Sequence, residues 1–283
     1  MLSRQQLNEF ERNGIVRLSR AVPAADIEVI TAQVWDNVER RYPLRRNRRE
    51  TWTVHRINGL HALDRSATFE QIGNAKVCQT LDDVLGSGNW QRPLRWGSLL
   101  LAFPESDTQW DVPYMSWHLD FPPSGSVKGL FAMRLFTCLL PLRHGGGATL
   151  VVAGSHLLVE DLIRKNADRR RFHSADVRKA LIRSYSWVRA LCSPYEAVDR
   201  IDRFMDSTTR VKFAELRIIE MTGEPGDVFL VHPLILHAPS TNCTEAPRMV
   251  LSTFVYRMQE TAPTQTTVSH EALHFSTEGL VRF

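Results

Sequence analysis

The segment from Gly226 to His237, Gly-Asp-Val-Phe-Leu-Val-His-Pro-Leu-Ile-Leu-His, constrains the fold of this chain more than any other. Gly226-Asp227 turns the backbone, an apolar run follows, and the run ends in a histidine. A short apolar run bounded by turn residues reads as a buried strand. A second segment, Ser116-Trp117-His118-Leu119-Asp120-Phe121, carries a histidine and an aspartate two positions apart. On extended backbone alternate side chains share a face, so His118 and Asp120 can address one metal ion with Leu119 turned away. A His-x-Asp pair alone is common, and the second segment gives it weight. Arg248 stands eleven residues beyond His237, after a turn rich in Ser240, Thr241, Asn242 and Thr244. Two imidazoles and a carboxylate can hold a divalent iron on one face and leave open positions for an oxidant and a co-substrate. A guanidinium beyond the last of them suits a two-pronged grip on a carboxylate. His118, Asp120, His237 and Arg248 together point to an oxygen-activating iron enzyme that uses a 2-oxo acid. Because the two segments are far apart in the chain, the fold must assemble the site.

The order of elements fits that demand. Ser3-Arg4-Gln5-Gln6 is a capping box, and Asn13-Gly14 stops the short helix it opens. Ile15 to Leu18 reads as a strand, and Ile27, Ile30, Val34 and Val38 recur at nearly helical period between Pro23 and Arg40. Gln71 to Leu85 is a further helix, ended by Gly86-Ser87-Gly88. From about residue 91 the pattern turns to strands: Leu94 to Phe103, Leu130 to Leu140, Ala148 to Val152, Val211 to Glu220, Asp227 to Val231 and Met249 to Arg257. Residues 157 to about 205 read as helical and charged, and Thr261 to Phe283 receive no assignment. The fold expected is mainly β with α, a double-sheet jelly roll whose mouth gathers residues from distant strands. A single domain over 1–283 is expected, with a helical N-terminal layer at 1–90, a jelly-roll core at 91–156 and 210–258, and a helical insertion at 157–209.

Of the chain's 283 residues, 43% are hydrophobic, enough for one large core. The net charge of +4 is concentrated in two runs, Arg40 to Arg49 and Arg164 to Arg171. No aromatic residues interleave these runs in a nucleic-acid motif, so they read as solvated faces. A small anionic substrate is a more economical partner than a nucleic acid. Cys78, Cys138, Cys192 and Cys243 are scattered and form no Cys-x-x-Cys pair. That argues against a zinc ribbon and a disulfide framework, and fits a reducing cytoplasm. The N-terminus lacks the apolar core of a signal peptide, and runs such as Gly97 to Phe103 are too short to span a membrane. A soluble, cytoplasmic protein acting on a small molecule is expected.

Other residues in these segments have plainer roles. His232 is five positions from His237, so on one regular strand the two face opposite ways, and His232 is expected to find a backbone partner. His144 and His156 flank Gly145-Gly146-Gly147 and read as loop histidines. The three glycines lack the Lys-Ser/Thr of a phosphate loop and read as a tight turn. Phe121, Phe136 and Trp117 are candidate pocket walls, and Trp52, His55, Arg56 and Arg134 are candidate substrate contacts.

In order and spacing the sequence resembles the phytanoyl-CoA dioxygenase family of Fe(II)/2-oxoglutarate oxygenases. The likeness rests on Asn13-Gly14-Ile15-Val16, Trp117-His118-Leu119-Asp120, the stretch from Gly147 through Gly154-Ser155-His156, and Gly226-Asp227 to His237 with Asn242 and Arg248. It implies a double-stranded β-helix core, iron held by His118, Asp120 and His237, and the distal carboxylate of 2-oxoglutarate held by Arg248, with O2 as second co-substrate. Many members carry a serine two residues after the distal histidine. Here that position is Pro239, which leaves Ser240, Ser252 and Thr137 as candidates for the second co-substrate contact. Leu101-Ala102-Phe103-Pro104 also lacks the polar residue many members have before the first motif. A halide would need the position that Asp120 fills, so halogenation is disfavoured. The expected reaction is hydroxylation, or another oxidation, of a small metabolite with release of succinate and CO2. A zinc-dependent hydrolase and a non-catalytic ligand-binding barrel are the alternatives.

Overall fold

In the computed structural model, residues 1–57, 60–105, 108–120, 130–165, 173–194 and 199–258 are described. Two antiparallel sheets face each other. The larger has the order β1-β7-β3-β9-β2, from Ile15–Leu18 (β1), Ser98–Ala102 (β2), Ala132–Cys138 (β3), Val228–Val231 (β7) and Arg248–Tyr256 (β9). The smaller has the order β5-β6-β4-β8, from Thr149–Ala153 (β4), Thr209–Val211 (β5), Ala214–Glu220 (β6) and His237–Pro239 (β8). A single bridge between His118 and His237 extends the smaller sheet past β8.

The period-2 alternation of strands divides the core into three layers. Inward-facing Ile15, Phe136, Cys138, Val151, Phe229, Val231 and Val250 fill the space between the sheets. Met133, Leu135, Val228, Leu230 and Leu251 face outward from the larger sheet and pack under three helices, Arg4–Asn13 (α1), Ala24–Arg41 (α2) and Ala75–Leu85 (α3). Leu150, Val152, Leu216, Ile218 and Ala238 face outward from the smaller sheet. Over them lie Ser155–Lys165 (α4), Ser174–Ser184 (α5), Ser186–Leu191 (α6) and Arg200–Phe204 (α7). No helix among the described residues is long and apolar enough to cross a membrane.

Local chemistry sets the element ends. Ser3 and Gln6 cap α1 reciprocally, and Gly14, at φ 73°, closes it. Ile27, Ile30, Thr31, Val34, Trp35 and Val38 form the buried stripe of α2.

Three expectations change. The run that was expected to end in His237 is two strands in different sheets. Pro233 has no N–H for the ladder, and the chain turns there, Ile235 N donating to His232 O at 3.1 Å. His237 therefore opens β8. The expected strand from Val211 to Glu220 is a hairpin, β5 and β6, turned at Lys212-Phe213 with Lys212 at φ 55°. β1 belongs to the larger sheet through its pairing with β7, although it lies within the helical N-terminal stretch.

Gly154, between β4 and α4, has φ +79°, and a Cβ there would stand 2.4 Å from the Glu215 carbonyl oxygen. Gly88 has a similar φ, +71°, with open space around it. Gly154→Ala should therefore lower unfolding stability by about 2–3 kcal/mol and Gly88→Ala by about 1 kcal/mol. Equal urea midpoints for the two variants would contradict this packing.

Candidate metal centre

The two histidines meet through the backbone. His118 N donates to His237 O at 2.8 Å, and His237 N donates to His118 O at 3.1 Å. Residues that exchange both bonds across an antiparallel pair put their side chains on the same face. The two rings lie 4.2 Å apart between centroids, and Asp120, two positions on, joins them. The ligand atoms of His118, Asp120 and His237 all lie within 4.8 Å of one another. His237 Nε2 is 3.1 Å from Asp120 Oδ2, and His118 Nε2 is 3.6 Å from Asp120 Oδ1.

Neighbouring carbonyls set the tautomers. His118 Nδ1 is 2.7 Å from Ser116 O, and His237 Nδ1 is 3.1 Å from Ile235 O. A carbonyl only accepts, so each Nδ1 carries the proton and each Nε2 presents a lone pair to the shared space. Ser116 holds its carbonyl in place with φ 67°, a strained conformation for a residue with a Cβ. Burial pushes the pKa of both imidazoles down to about 3, with the other ring adding to the effect at His118 and Arg134 adding to it at His237. Two neutral lone pairs and a carboxylate facing one another need a cation between them.

In this structure Arg134 of β3 fills that electrostatic role. Its Nη1 pairs with Asp120 and is 3.4 Å from His237 Nε2, and its Nε donates to Ser252 Oγ at 3.1 Å. Its guanidinium carbon lies 4.8 Å from the Phe136 ring centroid and 5.0 Å from that of Phe254. Arg134 was expected as a substrate contact, and its contact with Asp120 and His237 was not foreseen. The available signal was one charge in the apolar run Leu130-Phe131-Ala132-Met133-Arg134-Leu135-Phe136.

Arg248, the first residue of β9, is buried, and its Nη1 donates to Gly147 O at 2.8 Å. Its Nε is buried without a hydrogen-bond partner. Burial, reinforced by Arg56, pushes its pKa down to about 10. No ion pair joins it to a carboxylate among the described residues. A buried guanidinium in that state is a strong site for an incoming anion. The glycine-rich segment makes the expected turn and also supplies the carbonyl that holds Arg248.

The three candidates for a second co-substrate contact are placed differently. Ser252 lies on the inward face of β9, its hydroxyl accepting from Arg134. Ser240 donates its hydroxyl to Ala148 O at 2.8 Å. Thr137 is buried and shares the outward face of Met133 and Leu135, towards the helices.

His232, Trp117 and Trp52 make structural contacts. His232 sits in the turn between β7 and β8, where its N–H donates to Gly14 O at 2.8 Å and its Nε2 meets Glu160 at 3.3 Å. Trp117 Nε1 donates to Pro113 O, and the ring is part of the core under α4–α7. Trp52 packs on Trp35 and Phe103. His55 and Arg56 are exposed, and Phe121 lies outside the described residues. The helical insertion covers the outer face of the smaller sheet, and from it Arg178 Nε donates to Trp117 O at 2.5 Å.

His156 is the second residue of α4 rather than a loop residue, and its Nε2 donates to Glu11 O at 3.0 Å. Burial, with help from nearby His232, holds its pKa down to about 4. The unfolded chain, with an ordinary histidine pKa of about 6.5, takes up the proton first as pH falls. The stability this group contributes is therefore present above pH ~6.5 and is lost towards pH ~4. Wild type should lose roughly 1–2 kcal/mol more than His156→Gln between pH 6.5 and 5 by urea titration. Identical pH dependence would contradict the burial of a neutral His156.

The family model described as phytanoyl-CoA dioxygenase (PhyH) matches residues 10–250. No curated protein matches the chain in sequence. Among solved structures, the chain is similar to the epimerase SnoN in complex with Fe3+, alpha ketoglutarate and nogalamycin RO, at 14% identity and TM-score 0.51, over 89% of this chain and 82% of that one. It is similar to the carbocyclase SnoK from nogalamycin biosynthesis at 14% identity and TM-score 0.52, over 91% and 84%. It is also similar to HygX from Streptomyces hygroscopicus with nickel and 2-oxoglutarate bound, at 15% identity and TM-score 0.52, over 92% and 88%. At such identities the likeness carries the fold.

Proposed function

The chain belongs to the phytanoyl-CoA dioxygenase family and is an iron- and 2-oxoglutarate-dependent oxygenase by class, and on that premise we propose that it hydroxylates, or otherwise oxidises, a small-molecule metabolite with release of succinate and CO2. The observation that carries this reading is the convergence of three donors, His118 Nε2, His237 Nε2 and an Asp120 oxygen, on one space, together with a buried Arg248 that meets no carboxylate among the described residues.

The donor set fits iron. Both imidazoles carry the proton on Nδ1 and turn Nε2 to the shared space, Asp120 adds a carboxylate oxygen, and a two-histidine, one-carboxylate face leaves coordination positions open. When bound, iron supplies the coupling of oxygen reduction to the decarboxylation of 2-oxoglutarate. The protein fixes geometry and charge around it. His118, Asp120 and His237 hold the metal, with the Ser116 and Ile235 carbonyls keeping each ring in its binding tautomer. Arg248, pinned by Gly147, grips the distal carboxylate of 2-oxoglutarate in a dry setting where a charge-assisted bond is strong. Ser252, on the inward face of β9, is the best placed of the three hydroxyls to assist. Phe136, Val231 and Val250 keep water from the space between the sheets.

Anaerobic addition of Fe(II) and 2-oxoglutarate should produce a weak visible metal-to-ligand charge-transfer band, absent in Asp120→Ala. Arg248→Ala should weaken 2-oxoglutarate binding by about 10- to 100-fold, the equivalent of about 1.5–3 kcal/mol for a hydrogen bond to a charged group. No band together with full zinc occupancy would indicate a hydrolase, which has no use for Arg248.

A further inference from the structure

We propose that Arg134 is a specificity residue that binds an anionic group of the primary substrate, and that metal loading is what frees it to do so. This rests on the iron and 2-oxoglutarate reading above.

Arg134 points into the space between the sheets from the same face of β3 as Phe136, with 13% of its side chain exposed. Phe136 and Phe254 flank the guanidinium, and Ser252 Oγ accepts from Nε. Those contacts fix the plane of the fork and direct Nη1 at Asp120 and His237. Both atoms it addresses, a carboxylate oxygen of Asp120 and Nε2 of His237, are ones the metal requires. The lone pair on His237 Nε2 serves one partner only, so a bound cation and the Arg134 contact exclude each other there. Once a divalent ion neutralises Asp120, the guanidinium is a buried cation beside another cation. Such a charge is strongly destabilising unless an anion answers it.

That anion has two possible sources, the 2-oxoglutarate carboxylate next to the metal and the primary substrate. Position along β9 favours the substrate. The inward-facing residues run in the order Arg248, Val250, Ser252, Phe254, and Arg134 pairs with Phe254 at the opposite end from Arg248. Burial also relaxes at that end: Arg248, Val250 and Ser252 are buried, Phe254 is only partly buried, and the His118 side chain is 31% exposed. Arg134 therefore stands at the end that a substrate can enter, with two rings ready to pack against it.

The test uses protein loaded with Ni(II), as an inert stand-in for iron, and 2-oxoglutarate. Charged and neutral twins are titrated in, benzoate with benzamide and acetate with acetamide, together with inorganic phosphate. Binding is read by calorimetry and by the shift in thermal midpoint. At least one anion is expected to bind the loaded protein saturably while its neutral twin does not, and the metal-free protein is expected not to bind it. Arg134→Met should weaken that binding at least tenfold, with nickel affinity retained or raised and 2-oxoglutarate affinity changed less than twofold. Should the methionine variant be insoluble, Arg134→Lys, which keeps the charge and loses the fork, should weaken binding at least threefold. The proposal is overturned if no anion binds the loaded wild type, if binding survives in the variant, or if the variant loses 2-oxoglutarate instead. Failure of wild type to take up nickel and 2-oxoglutarate at all would instead overturn the functional reading beneath it.

Discussion

The site depends on one reciprocal pair of backbone hydrogen bonds. His118 and His237 exchange N–H and C=O at the edge of the smaller sheet, and this exchange makes neighbours of two histidines that are distant in the chain. Everything chemical follows from it. The shared face sets the rings together, strand periodicity adds Asp120, and the carbonyls of Ser116 and Ile235 turn the lone pairs inward. Loss of the pairing would leave three unrelated polar side chains, none of them a metal ligand alone.

The fold pays for this arrangement by burying charge. Arg134, Arg248 and Asp120 all sit in or beside the space between two apolar sheets, where each ion is tolerable only with a partner. Arg134 and Asp120 answer each other, whereas among the described residues Arg248 has one carbonyl partner and an orphaned Nε. On the proposed reading, a cation between the donors and an anion at each guanidinium would resolve these charges together. Binding and electrostatic satisfaction would then be the same event.

Much of this was legible in the sequence because it is local. The capping box of α1, the buried stripe of α2, the glycine turn at 145–147 and most strands follow from residue types and spacing. The family followed from motifs in order. What escaped depended on partners remote in sequence. The run through Pro233 reads as one strand, and only the competition between two sheets for its halves breaks it at the turn. The expectation that His232 faces away was reached by counting along a regular strand; in the structure the turn places it against Glu160 and Gly14. Arg134 showed as an odd charge in an apolar strand, yet its tie to Asp120 needs the third dimension. Thr137 was a candidate only because the family resemblance calls for a hydroxyl where Pro239 stands, and strand parity turns it to the other face.

The convergence of three donors on one ion is the claim on which the rest stands, and anomalous diffraction at the iron edge from anaerobically loaded crystals tests it most directly. The account predicts a single strong peak within bonding distance of His118 Nε2, His237 Nε2 and an Asp120 carboxylate oxygen, with the Arg134 guanidinium moved off His237. A peak elsewhere, or one that leaves His237 out of the coordination, would contradict it.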